Sequence, residues 1–331
     1  MPAESNTKTN RPNPFAGDRW IGYAAGGAFQ NIVLNGILPD NCAFVVDQYF
    51  EGDAFETIPV KRPEALESED RETPIILFTM SSKLFSTLRE MLIDRGFKKD
   101  KIHYYGDVFF PLMRERIGEF GLQMSADHYE FIKNTNALLG IDNHSSAMGS
   151  ALLLSMQEST DSIGGAFVEL GVFRGGNAFS VCLANTLLGE KRPYYLIDSF
   201  EGFPELSAHD PSASAGMFKD TSYDDIRTTF GHFPSATVMK GYVPEILTDL
   251  PEQRYAVVYY DCDLHDPARD SLEYFWPKLV VNGYVLIHDY LPKLNGFDGV
   301  RLAVDEFLKG RSDFVQMTVP ETTHLILKKI S

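Results

Sequence analysis

The sequence predicts an α/β protein built from two Rossmann-like, doubly wound parallel sheets. Three observations carry this. Short apolar runs alternate with segments of helical periodicity along most of the 331 residues, as expected of βαβ units rather than of hairpins. Two of the apolar runs pass straight into glycine-rich turns, Gly22–Gly27 and Gly171–Gly176. Several others end on an acid: Asp47, Asp198, Asp261 and Asp289. A parallel sheet collects its ligands at the carboxyl ends of its strands, so glycines and acids at run ends mark one functional edge in each sheet.

The first zone covers about 18–119. Arg19–Gly27 reads as a short strand running into glycines, and Asn31–Leu38 continues with helical spacing. Cys42–Asp47 and Pro74–Met80 are apolar strands, the second bounded by its proline. Ser81–Phe97 carries a serine start, helical periodicity and Gly96 at its end, a helix with both stop signals in place. Residues 120–163 read as a helical connector; Met148–Gln157 is apolar all round, as a buried helix is. Residues 1–17, polar with three prolines, read as a disordered leader.

The second zone covers 164–331. Gly165–Gly189 is strand, glycine turn and helix; Pro193–Phe200, Ala236–Tyr242, Tyr255–Asp263 and Gly283–Tyr290 are further strands. Ser271–Val280 and Gly299–Gly310 read as helices, and Phe314–Val319 with Thr323–Lys329 as a closing hairpin.

Acidic residues outnumber basic ones 46 to 30, a net charge of -16. That disfavours nucleic acid and anionic membrane surfaces as partners. No apolar run approaches the roughly 18 residues of a membrane span. The three cysteines, Cys42, Cys182 and Cys262, fit neither a zinc nor a disulfide pattern. They predict a reducing, cytoplasmic setting.

Residue chemistry concentrates in the second zone. Glycines in the Gly171 turn let backbone approach a ligand without Cβ clashes, although a tight turn alone needs them too. Asp198 ends the next strand, where nucleotide-binding folds use an acid to accept hydrogen bonds from ribose hydroxyls. Asp261, Asp263 and Asp289 gather at neighbouring strand ends with His288. Carboxylates crowded at one edge repel, and a hard divalent cation such as magnesium relieves that repulsion. Solvated loop acids are the alternative. Glu205–Met217 is expected to form a lid that bears on specificity.

In order and spacing, Val168–Gly176 (V-E-L-G-V-F-R-G-G), Ile197–Glu205, Phe218–Ser222, Tyr259–Tyr290 and Gly299–Phe307 resemble the macrocin O-methyltransferase family over about 164–307. The resemblance implies a class I S-adenosylmethionine (SAM) dependent methyltransferase fold and transfer of methyl to a hydroxyl of a sugar or glycosylated small molecule. It implies Glu169, Gly171 and Gly175 at the amino-acid and ribose end of SAM. Asp198 and Ser199 would stand at the ribose or adenine side, with Asp220 in a covering segment. It further implies Asp261 and Asp289 as magnesium ligands and Asp263 as general base. Two departures stand out. The family's D-G-D-x-Y-E-S is here D-C-D-L-H-D-P, and its D-D-Y is His288-Asp289-Tyr290. His288 removes an oxygen ligand and becomes either a ligand for a softer metal or a base.

Upstream, Tyr23–Val33, Phe44–Gln48, Ile58–Leu66, Pro74–Met80 and Leu88–Phe97 are similar to a small Rossmann-like domain of sugar-modifying and polysaccharide-biosynthesis enzymes. Its turn does not fit the dinucleotide pattern G-x-G-x-x-G. Scaffolding, in a homo-oligomer or for substrate placement, competes with a nucleotide site at Asp47. Two other readings remain at this point: a SAM-fold assembly module with a drifted site, and a nucleotide-dependent enzyme working through the first zone.

Overall fold

A computed structural model describes residues 17–79, 81–139, 147–291 and 298–331. The leader lies outside these, apart from Gly17. The chain opens with β1 (Trp20–Tyr23), α1 (Gly27–Leu34), β2 (Cys42–Val46), β3 (Ala54–Phe55), β4 (Ile58–Lys61), β5 (Ile75–Leu77), α2 (Ser82–Asp94), β6 (Ile102–Tyr104) and α3 (Tyr105–Glu119). Helices α4 (Ala126–Leu139) and α5 (Ala147–Ser159) follow. Then come β7 (Ala166–Leu170), α6 (Gly176–Leu188), β8 (Tyr194–Asp198), α7 (Tyr223–Phe230), β9 (Ala236–Lys240), β10 (Tyr255–Tyr260), α8 (His265–Phe275), β11 (Leu279–Ile287), α9 (Asp298–Leu308), β12 (Phe314–Val319) and β13 (His324–Lys329).

These strands form two sheets. The first has the order β3-β4-β2-β1-β5-β6, parallel except for β3 against β4. The second has the order β12-β13-β11-β10-β7-β8-β9. It is parallel from β11 to β9, with β13 antiparallel to both β11 and β12. Strand order reverses between β1 and β5 in the first sheet and between β7 and β10 in the second. These reversals are the two places where such sheets open a crevice.

Local chemistry accounts for the element ends. The Ser81 hydroxyl accepts the Leu84 N–H and caps α2, and Gly96 takes a positive φ just beyond it. α5 buries every residue from Met148 to Gln157. It packs on α4, α6, β10 and β11, so the helix that is apolar all round sits between layers. The helix read over Ser271–Val280 is different in the structure. α8 begins at His265 and stops at Phe275, and Leu279 already belongs to β11. Pro277 explains this: a proline denies the helix an N–H, so α8 gives way to a single tighter turn, Trp276–Lys278, before the chain extends at Leu279.

The core has three parts. One cluster lies on the outer face of the first sheet, with Ile21, Phe44, Leu77 and Leu92. Another lies on the outer face of the second, with Tyr255, Phe275, Trp276 and Leu327. The largest joins both sheets through α3–α6: Trp20, Phe29, Phe109 and Met113 are continuous with Leu152, Phe167, Leu196 and Leu286.

Candidate active site

The β7/β10 reversal holds the site. Gly171 follows β7 with φ +91°, and a Cβ there would overlap the Asp261 carbonyl oxygen. This glycine is demanded first by the close approach of two loops. Gly175 (φ +74°) is demanded by Phe230, whose ring would lie 2.7 Å from an added Cβ. Beyond it α6 begins, and Gly176 and Asn177 face a cavity of about 340 Å³ at the carboxyl edge of the sheet.

Glu169, Gly171, Asp198, Ser199, Asp261, Asp263, His288 and Asp289 all line this cavity. Two expected residues do not. Gly175 backs onto Phe230 instead. Asp220 pairs with Arg174, which lines the cavity, and its own side chain is mostly exposed.

Asp198 is held by the turn it faces. One carboxylate oxygen accepts the Phe173 N–H at 2.7 Å and the other accepts the Phe200 N–H at 2.7 Å. Burial raises its pKa, and these backbone donors oppose the rise. Glu169 is fully buried in β7 and accepts a hydrogen bond from the Tyr194 hydroxyl. Burial pushes its carboxyl up to about 8, with Tyr194 pulling down and the charges of Asp261 and Asp198 adding to the rise. Its surroundings therefore favour the protonated form well above the usual carboxylate range.

The acids meet where β10 and β11 end. β10 stops at Tyr260, so Asp261 and Asp263 sit in a loop rather than on one strand face, and Asp263 takes φ +61°. One ligand atom from each of Asp261, Asp263 and His288 can be chosen so that all lie within 4.8 Å of one another. His288 Nδ1 is 2.8 Å from Asp261 Oδ1 and 2.8 Å from Asp289 Oδ1. Asp289 itself, buried with φ +60°, does not join the close-set donor group.

Further residues come to the site with no strand-end signal in the sequence. The Tyr259 hydroxyl donates to Asp261 Oδ2 at 2.8 Å, and His324 Nε2 stands 3.4 Å from that hydroxyl. The His324 ring lies 4.7 Å from that of His288. Glu321 lines the cavity from the β12–β13 turn and is paired with Arg116 of α3. Ala28 and Asn31 of α1 and Tyr105 of α3 also line it. Asp47, at the equivalent position of the first sheet, does not. Its carboxylate accepts the N–H groups of Ala25, Tyr49 and Phe50.

A seven-stranded sheet of this order, ending in an antiparallel strand, with an acid-lined cavity at its reversal point, defines the class I SAM-dependent methyltransferase fold. A solved structure of the O-methyltransferase NovP agrees: TM-score 0.50 and 21% identity, covering 68% of this chain and 100% of that one. The model of the macrocin O-methyltransferase family matches residues 149–318, and the chain belongs to that family. The match begins upstream of Gly164 and takes in α5, which packs directly on the second sheet. Among curated relatives, the chain is 29% identical over 163 residues to the 8-demethyl-8-(2,3-dimethoxy-alpha-L-rhamnosyl)-tetracenomycin-C 4'-O-methyltransferase of Streptomyces olivaceus. That alignment covers 46% of this chain and 60% of the relative. Identity to the demethyldecarbamoylnovobiocin O-methyltransferase of Streptomyces niveus is 26% over 145 residues, 40% of this chain and 55% of that one. The chain thus spans less than two thirds of these relatives' lengths.

Proposed function

We propose that the protein is a SAM-dependent O-methyltransferase acting on a hydroxyl of a sugar or glycosylated small molecule. One observation carries the reading: a single cavity joins the Gly171 turn and Asp198 on one side to Asp261, Asp263 and His288 on the other. Donor and acceptor sites therefore share one space. The rhamnosyl and novobiocin-type acceptors in the relatives' names support a sugar.

Bound in this cavity, SAM supplies a methyl group on a sulfonium, a leaving group that needs no acid. Asp198 and Ser199 would accept hydrogen bonds from its ribose. Glu169 and the Gly171 backbone would hold its amino-acid end, while Gly175 shapes the turn from behind. Asp220 acts through Arg174, fixing the segment that closes over the site. The chain mainly orients the two reactants. Asp263 takes the proton from the acceptor hydroxyl, and His288, between Asp261 and Asp289, orients that oxygen. The donor set Asp261, Asp263 and His288 fits a divalent cation, magnesium or one more tolerant of nitrogen, with Asp289 supporting His288. An ion held there would supply Lewis acidity toward the acceptor hydroxyl. Asp263 would help hold the ion and keeps its role as the proton acceptor.

In this reading residues 18–119 are an accessory Rossmann-like unit, 120–163 the connector and 164–331 the methyltransferase unit. The enzyme is a cytoplasmic homo-oligomer with no nucleic-acid or membrane partner. No helix among the described residues is long and apolar enough to cross a membrane.

The test is calorimetry with S-adenosylhomocysteine (SAH), then transfer of labelled methyl from SAM to a panel of rhamnosides. The expected outcome is micromolar SAH affinity with methyl appearing on a sugar oxygen. Absence of SAH affinity sinks the reading.

A further inference from the structure

The family match begins at residue 149, so α1 and α3 lie outside it, yet both reach the cavity. Ala28 and Asn31 come from α1 and Tyr105 from the start of α3. About three turns further along α3, Arg116 pairs with Glu321, whose side chain is almost fully buried in the β12–β13 turn that also lines the cavity. In the second sheet that turn lies beyond β11, on the opposite side of the β7/β10 reversal from β8 and Asp198. The Arg116–Glu321 pair therefore ties the first unit to the half of the cavity away from Asp198. That unit is also fixed there, because the central apolar core runs without a break from Phe29 and Phe109 to Phe167 and Leu286.

The chemistry of this wall is selective. Its three side chains are a methyl, an amide and a phenol ring. The Asn31 backbone carbonyl accepts from Asn35, but its side-chain amide has no hydrogen bond among the described residues. An amide offers both donor and acceptor, which suits a hydroxyl. Cations are scarce. Arg174 is the only lysine or arginine among the described lining residues, and it is paired with Asp220. Asp198, Asp261, Asp263, Asp289 and Glu321 make the lining strongly acidic. A phosphate would meet repulsion without a compensating cluster of cations.

We propose, resting on the methyltransferase reading, that the first unit forms the acceptor-side wall and that Asn31 is a specificity-determining residue reading a hydroxyl of an uncharged glycoside, not a nucleotide-linked sugar. The wall supplies recognition; the reacting groups all come from the second sheet.

The experiment uses the full chain saturated with SAH and saturation-transfer NMR of methyl α-L-rhamnopyranoside, with uridine diphosphate as the phosphate probe. Wild type should transfer saturation to the rhamnoside and show no competition by the diphosphate. Asn31→Trp should abolish the signal, and Asn31→Ala, at a partly buried position where it cannot unfold the protein by overpacking, should weaken it several-fold. SAH affinity should stay within twofold in both variants. The proposal is overturned by an unchanged rhamnoside signal in Asn31→Trp, by no signal in wild type, by displacement with uridine diphosphate, or by a tenfold loss of SAH affinity in Asn31→Ala. Failure of the methyltransferase reading looks different: wild type would not bind SAH at all.

Discussion

The two sheets carry the same device and use it differently. In each, an acid at the end of the second strand accepts an N–H from the turn after the first: Asp47 from Ala25, and Asp198 from Phe173. In each, the other oxygen accepts from the residue two positions on, Tyr49 or Phe200. Yet Asp198 borders a cavity and Asp47 does not line it. The acid–turn hydrogen bond is thus a property of the fold, and it becomes a binding feature only where the neighbouring loops leave room beside it. A glycine turn plus a strand-end acid identifies a Rossmann-like unit and says little about whether that unit still holds a nucleotide.

The sharpest way to break the comparison is at the glycines. Gly171→Ala forces a Cβ onto the Asp261 carbonyl at φ +91° and should cost roughly 3 kcal/mol or more. Gly27, in the first turn, has nothing within 4 Å of an added Cβ. Gly27→Ala should leave stability unchanged or raise it by roughly 0.4–1 kcal/mol. Urea midpoints of the two variants decide this, and equal effects would erase the distinction between the turns.

A smaller effect comes from the buried carboxyl that the first sheet lacks. β1 is wholly apolar or glycine, Trp20–Tyr23, whereas β7 buries Glu169. Burial raises its folded pKa to about 8 from the ordinary 4.5. Between those values the folded protein keeps a proton that the unfolded chain has lost, so stability falls as pH rises. Between pH 5 and 8 this should amount to roughly 3 kcal/mol. Glu169→Gln should flatten that part of the stability profile; an unchanged slope would show that Glu169 is ionised in the fold.

The smallest effect separates the acids themselves. Asp47→Ala and Asp198→Ala should each cost about 1–3 kcal/mol by stranding backbone donors. Only Asp198→Ala should weaken SAH, by about tenfold, equivalent to ~1.4 kcal/mol. Equal SAH affinity in both variants would remove Asp198 from the donor site.

The features legible in the sequence were those written in consecutive residues. Strand, glycine turn and helix at 165–189 follow from local period and backbone freedom, and Asp198, Asp261 and Asp289 from their place at run ends. What could not be read there depends on chain folding back on itself. Asn31 and Tyr105 sit in ordinary helix patterns and reach the cavity only because α1 and α3 pack beside the second sheet. His324 begins an antiparallel strand, where no rule expects a site residue. β3 and β6 are two and three residues long, too short for a period to show. Asp261 and Asp263 follow the last residue of β10, Tyr260, so strand alternation does not set their direction, and it is loop conformation that brings them to His288.

The apolar core that runs between the sheets has a consequence for the life of the chain. Phe167, Leu196 and Leu286 share one cluster with Trp20, Phe29 and Phe109, so cutting away either half would open a greasy face to water. The two halves should melt in a single cooperative transition. A truncated copy beginning near residue 120, though it would retain every residue assigned to the reaction itself, should aggregate rather than turn over.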